Sequence, residues 1–453
     1  MIRKRKNKSK NAYVIFTREP VPGLTKTRLM PYYTAEECAE LHKCFLRDIA
    51  REMKGGDFDI IVAYTGGEPL FLKETFGRKA CYTEQRGDDL GKKMENAFRD
   101  AFSMGYERVV LTGSDIPELE KETIETAFAM LGTCDVVMGP TADGGYYLAG
   151  MKEPHYEAFG VKTYGVSTVF EETVRSIREA GSEVAVIDEY NDIDTKEDLL
   201  DLRRRAIEDA GMRRSHTARF INDRLKISVI IPTYNEETTV AAMEEQLKAF
   251  TYGRDDTEII YVDGGSTDRT VSMVGSGHTL LSCGKGRGAQ LNFGALRSSG
   301  DVLFFLHCDS VLPENFIDEI KQCMRKHLFG CFGVKFPSRN FFMLTNHIIS
   351  NHRALVRGLP FGDQGIFIDR GLFFETGMFP ELPLMEDYVY SMKLRRYGIR
   401  PGMTSRRILT SARRYGTGTG RVLRTEFMMW NLRRLYRKGR NIEELAEMYE
   451  DIR

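Results

Sequence analysis

The 453-residue chain carries no net charge, because 65 Lys and Arg are balanced by 65 Asp and Glu. No global field draws it towards nucleic acid, which is therefore not an expected partner. It also lacks any apolar run near the ~20 residues that a membrane-spanning helix requires. Its cysteines, at positions 38, 44, 81, 134, 283, 308, 323 and 331, form no Cys-x-x-Cys pair and keep no regular spacing. That excludes a zinc knuckle and a disulfide framework, and it points to a reducing cytoplasm. No apolar h-region follows the basic MIRKRKNKSK before the first strand, so residues 1–10 read as a disordered tail rather than a signal peptide.

What the chain has is enough apolar sequence for two cores. Hydrophobic residues make up 42% and charged residues 29%, the balance of globular proteins, and the length suits two domains. Short apolar runs that end at Gly, Pro or Asp alternate with helical segments in both halves. AYVIF (12–16), IIVAY (60–64), RVVLTG (108–113) and DVVMG (135–139) read as strands, as do ISVII (227–231), EIIYV (258–262) and DVLFFL (301–306). This βαβ rhythm predicts α/β domains with mostly parallel sheets flanked by helices. A basic, mostly polar stretch over 211–226 reads as a linker between a domain at 11–210 and another at 227–453.

The halves echo each other. Each opens with a strand running into a Pro-containing loop, EPVPGLTKTR (19–28) and PTYNEE (232–237), and each later has an apolar strand ending in an aspartate, VVLTGSDIP (109–117) and LFFLHCDSVLP (303–313). Ligands of parallel α/β sheets sit beyond the carboxyl ends of the strands, so both sets fall where a nucleotide would bind.

In the second half, ISVIIPTYNE, IIYVDGGSTDRT (259–270), GKGRGAQLNFGA (284–295) and DVLFFLHCDS together resemble the family 2 glycosyltransferases of the GT-A fold. More narrowly, they resemble the selenodomain-associated or arsenosugar-type branch. The resemblance implies a nucleotide-sugar donor whose diphosphate is neutralised by Mg2+ or Mn2+. Asp309 would be a metal ligand. His307 stands where the family's Asp-x-Asp motif has its first aspartate and is a candidate second ligand; Cys308 would point into the core. Asp263 matches the aspartate that holds the nucleoside, while Gly264 replaces the second aspartate often found beside it. Pro232, Tyr234 and Glu236 would line the nucleoside pocket, and Arg287, Gln290 and Asn292 the phosphate side.

Glu386 and Asp387 resemble the family's acceptor-side acidic pair, with Asp387 as the base of an inverting transfer. Acids ahead of a helix are also favoured by charge alone. Asp363 and Gln364 in GDQG (362–365) would meet sugar hydroxyls. Arg413 and Arg414, before the Gly-rich YGTGTG (415–420), would close over the diphosphate.

FTREPVPGLTKTRL (16–29), LTGSDIPEL (111–119), GPTADGGYYLAG (139–150), YGVSTV (164–169) and DIDTKEDL (192–199) resemble the selenodomain-associated transferases of the first type, related in fold to small nucleotidyltransferases. Gly23, Lys26 and Arg28 form a cationic loop suited to phosphates. Asp115 and Asp194 would be metal-site acids, and Asp143 lies in a turn that either meets a ligand or only closes a hairpin.

Three readings follow. The second half transfers a sugar made or bound as a nucleotide-sugar by the first; or nucleotidyl transfer in the first half is the activity, the second half being an accessory module; or the chain is a binding scaffold at a membrane. The acceptor is a small molecule or lipid-linked. Between Lys393 and Arg440 fifteen Lys or Arg stand against one acid, Glu426. Residues 406–440 thus offer a peripheral contact with the inner face of a membrane, or an ordinary solvated and packed helix.

Overall fold

In the computed structural model, residues 9–160, 168–336, 341–410 and 419–450 are described. The expected basic tail, most of YGVSTV, and Arg413 and Arg414 lie outside them. The chain divides into two compact units, Met1–Ile221 and Asn222–Arg453.

The first unit holds β1 (Asn11–Phe16), β2 (Asp59–Tyr64), β3 (Cys81–Glu84), β4 (Arg108–Gly113), β5 (Val136–Pro140), β6 (Tyr146–Met151) and β7 (Val184–Val186). The second holds β8 (Ile227–Thr233), β9 (Thr257–Asp263), β10 (Thr279–Ser282), β11 (Val302–Phe305), β12 (Phe329–Lys335), β13 (Ile366–Asp369) and β14 (Gly402–Leu409). Their spatial orders are β3-β2-β1-β4-β6-β5-β7 and β10-β9-β8-β11-β13-β12-β14, one order used twice. The resemblance between the halves is therefore architectural as well as positional. Both sheets are mixed: β6 runs antiparallel to β4 and β5, and β13 antiparallel to β11 and β12.

The central strands are apolar because both of their faces are covered. Along β1, Ala12 and Val14 pack with Met94 and Phe98 on one side, while Tyr13 and Ile15 pack with Ile49 and Phe128 on the other. Along β11, Phe304 meets Phe316 and Phe332, while the next residue, Phe305, meets Phe373 and Phe379 on the opposite face. The order reverses between β1 and β4, and between β8 and β11. Crevices form beyond the strand ends at such reversals.

The stretch expected as a linker is more than a tether, and the boundary between units falls inside it. It contains a helix, His216–Asp223, whose Phe220 and Ile221 join an apolar cluster of the first unit. Asp48 accepts hydrogen bonds from the backbone amides of His216 and Thr217 at 2.9 and 2.8 Å, fixing the start of that helix.

Candidate active sites

In the second unit, the loops after β8 and β9 are knitted together by polar side chains. Asp263 is buried and accepts from the amides of Gly265 and Ser266, both at 2.9 Å, and from the Ser266 hydroxyl at 2.5 Å. Asn235, held at φ 53°, accepts from the Thr267 amide at 2.8 Å and donates its own amide to Ser266 Oγ at 2.9 Å. Asp263 thus shapes the loop after β9 through its own turn.

Gln290 and Asn292, expected on the phosphate side, have structural partners instead. The Gln290 amide donates to the carbonyls of Thr233 and Val262 at 2.9 and 2.8 Å, joining the ends of β8 and β9. Asn292 donates to the Phe379 carbonyl at 2.8 Å and accepts from the Phe379 amide at 3.1 Å. A Cβ on Gly264 would stand 3.1 Å from the Gln290 side chain, so the place of the family's second aspartate is filled by this glutamine. Tyr234 remains exposed at the mouth, with the Lys285 ammonium 4.2 Å above its ring. Pro232, near the end of β8, and Glu236, in the loop that follows, are half-buried, and Glu236 accepts from the Thr239 hydroxyl at 2.5 Å. Lys285 was not singled out from sequence, although it lies in the same Gly-rich loop as Arg287.

The strand end at LFFLHCDS alternates in exposure. Cys308 is buried, and His307 and Asp309 are half-buried, so the two potential ligands are accessible while the thiol packs inside. Across from them Gly362–Gln364 forms a 3-10 turn. An added Cβ on Gly362 would stand 2.9 Å from His307 Nε2 and 3.1 Å from Asp387 Oδ2. The candidate ligand and the candidate base therefore converge on one glycine. The Gly362 amide donates to Asp387 Oδ2 at 2.6 Å, and the Tyr388 amide to Oδ1 at 2.7 Å, which fixes the carboxylate at the start of helix Glu386–Arg396. Met385, at φ 64° and buried, turns the chain into that helix, a strained conformation for a residue with a side chain.

Glu386 has a different place from Asp387. It is buried and ion-paired with Arg287, the first residue of helix Arg287–Arg297. Burial pushes its carboxyl above the usual range against the opposing charge of Arg287. Asp363 is half-buried in its turn, while Gln364 is buried and accepts from Arg353 Nη2 at 3.2 Å.

Among the described residues no group of three or more His, Cys, Asp or Glu could hold a metal alone. The His307 and Asp309 donors still suit a cation completed by a diphosphate, because one carboxylate and one imidazole leave most positions to ligand oxygens. Imidazole is a poor ligand for Mg2+ and a tolerable one for Mn2+.

The first unit builds its site on the equivalent strand ends. Lys26, itself left-handed at φ 50°, is nearly buried and reaches Asp115 Oδ1 at 2.7 Å, Asp194 Oδ1 at 3.6 Å and the Ile193 carbonyl at 2.6 Å. Arg28, more exposed, pairs with Asp194 Oδ2 at 2.5 Å. Loss of hydration pushes the Asp115 carboxyl up, but the charges of Lys26 and of His42 outweigh it and hold it low. Loss of hydration and the charges of Asp115 and Asp194 push Asp192, which was not singled out from sequence, up to about 7. Asp143 lies in the β5–β6 hairpin turn, accepts from Thr141 Oγ1 at 2.5 Å, and also lines a cavity of about 360 Å³ with Arg28, Asp192 and Asp194. The turn is thus a hairpin turn that also borders this cavity. Gly23, at φ 80°, lies in the loop that carries Lys26 and Arg28.

Comparison with known proteins accords with this division. Residues 228–399 match the family described as Glycosyl transferase family 2, and residues 49–166 match "Uncharacterized protein conserved in bacteria (DUF2064)". A solved chain from Desulfovibrio desulfuricans G20, assigned as a nucleotide-diphospho-sugar transferase, is 33% identical; the match covers 48% of this chain and 95% of that one, with a TM-score of 0.46. Over about half of its length this chain is thus similar to a nucleotide-diphospho-sugar transferase. More particularly, it is a glycosyl or nucleotidyl transferase whose second unit carries a glycosyltransferase family 2 domain.

The first unit is similar to 2-phospho-L-lactate guanylyltransferase of Methanothermobacter thermautotrophicus, 28% identical over 40% of this chain and 80% of that protein. "Probable glycosyltransferase YdaM" of Bacillus subtilis is 32% identical over 20% of this chain, and the chain spans only 24% of that protein's length.

Proposed function

We propose that the second unit transfers a sugar from a nucleotide-diphospho-sugar to an acceptor hydroxyl with inversion. The observation that carries this is the convergence of Asp387 and His307 on Gly362, beside Asp309 and beyond the end of β11. Asp387, its two oxygens oriented by the amides of Gly362 and Tyr388, takes the hydroxyl proton while the acceptor oxygen attacks the anomeric carbon. The bond from that carbon to the diphosphate breaks, and the nucleoside diphosphate leaves. Asp309, with His307, would hold a divalent cation that neutralises the departing diphosphate. Arg287 stays cationic beside Glu386 and presents a fixed positive charge on the phosphate side. Tyr234 and Lys285 flank the nucleoside mouth, and Asp363 faces the sugar side. The acceptor is a small molecule or lipid-linked, and residues 406–440 make a peripheral contact with an anionic membrane surface.

The Lys26–Asp115–Asp194 cluster and its acidic cavity favour a second activity in the first unit. There a phosphate monoester would attack the α-phosphorus of a nucleoside triphosphate, releasing pyrophosphate. The likeness to guanylyltransferases makes guanosine nucleotides the first to try.

The transfer reading is tested with Asp387→Asn. Asn keeps the size of the side chain but cannot accept the proton, so transfer should fall by roughly 10²–10⁴-fold with donor affinity unchanged in a titration. Full transfer by this variant would end the assignment of the base.

A further inference from the structure

Over its described side chains, 345–357, helix Phe341–Arg357 turns mostly polar residues and Ala354 towards its own domain and apolar residues outward, the reverse of an ordinary surface helix. On the inner side Asn346 and Ser350 are buried, and Asn351 exchanges hydrogen bonds with Val334 of β12, accepting at 2.8 Å and donating at 3.1 Å. On the outer side Ile348, Ile349, Leu355 and Val356 are each more than half exposed, from 53% to 67%, with His352 among them. Their spacing places them on one face.

Helix Thr419–Arg437 packs against this helix. The two are clasped at Phe361, whose ring has the Arg353 guanidinium 3.3 Å away and that of Arg433 at 5.3 Å. Leu432 packs inward on Met385 and Tyr388, so this helix already has a satisfied apolar face. On its opposite side Leu423, Phe427 and Trp430 are exposed, followed on the same face by Arg434 and Arg437. The Arg434 guanidinium lies 5.5 Å over Trp430.

We propose that these two outward faces insert together into the interfacial layer of an anionic lipid membrane. An apolar surface rimmed by arginine is what an in-plane amphipathic helix presents to lipid, and an exposed tryptophan belongs at such a boundary. Helix Phe341–Arg357 contains no acid, and Glu426 is the one acid between Lys393 and Arg440. A second copy docked on the same patch would set these cations against themselves, whereas lipid phosphates complement them. The inference rests on the membrane contact already proposed for 406–440 and adds insertion by a different helix.

Trp430 is the single tryptophan of the chain, so its emission reports this surface alone. The full-length protein is mixed with vesicles of phosphatidylglycerol and phosphatidylcholine, with and without brominated chains. The expected result is co-sedimentation, a blue shift of Trp430 and quenching by the brominated lipid. Ile348→Ser with Val356→Ser should weaken binding at least roughly tenfold, with the circular dichroism and melting temperature unchanged. Co-sedimentation without blue shift or quenching overturns insertion while leaving the basic contact standing. No co-sedimentation overturns both. An emission shift that follows protein concentration without lipid identifies a second copy as the occupant and also overturns the proposal.

Discussion

Gly362 has no side chain, and its neighbours explain why none fits. A methyl there would lie 2.9 Å from His307 Nε2 and 3.1 Å from Asp387 Oδ2, closer than such contacts allow without movement. Its φ is not in the left-handed region, so alanine meets no backbone strain and acts only on those two side chains. Gly362→Ala should therefore lower the rate of sugar transfer by about 10²-fold, the scale of a misplacement near 1 Å. The melting temperature should change little. A variant with full kcat would show that His307 and Asp387 need not approach each other in turnover. Glu386 illustrates the contrast between adjacent residues: its neighbour Asp387 remains half-buried, while Glu386 is buried against Arg287 and positions the helix carrying both.

At the scale of elements, close approach between helix and sheet sets the crevice. Helix Arg287–Arg297 lies so tightly on β8 and β9 that a Cβ on Gly294 would stand 2.5 Å from Ile230 Cγ2 and 3.0 Å from Val262 Cγ2. Alanine would gain about 1 kcal/mol in helix propensity but overpack a filled core at a cost of about 1–3 kcal/mol. Both partners are fully buried branched residues of the core, so the second term should win. Gly294→Ala is expected to lower the unfolding midpoint of the second unit by a few degrees, and an unchanged or raised midpoint in calorimetry would refute this packing. Strands β1, β4, β8 and β11 were legible because both faces are covered and the apolar run is continuous, as in AYVIF and DVLFFL, whereas the internal β6, β12 and β13, though largely buried, were not read as strands. The edges were not legible either: CYTE and TLLS are short and half-buried or exposed, and β14 breaks its buried residues with three exposed ones in a row, Ser405, Arg406 and Arg407. In the sites, acids at strand ends carried the signal. Residue type alone cannot separate a ligand contact from a bond to a buried carbonyl, which is where Gln290, Asn292 and Gln364 lie. The convergence on Gly362 depends on contacts far apart in sequence.

At the scale of the whole molecule, one strand order occurs twice, and each copy carries its own charged site. If the first unit makes a nucleotide-sugar and the second consumes it, the two activities should separate by single substitutions in the full chain. Asp115→Asn keeps an oxygen facing Lys26, which also retains the Ile193 carbonyl at 2.6 Å and Asp194 at 3.6 Å, so the fold should survive. The lost carboxylate should reduce nucleotide-sugar formation from a nucleoside triphosphate and sugar phosphate by at least about 10²-fold. Transfer from supplied nucleotide-sugar should stay at its original rate. Asp309→Asn should do the reverse, sparing synthesis and removing transfer. Pyrophosphate release and sugar incorporation, followed separately on each variant, read the two steps. If Asp115→Asn also abolished transfer from supplied donor, with melting unchanged, the units would not act in series as independent catalysts. The first would then be required within the second unit's reaction itself.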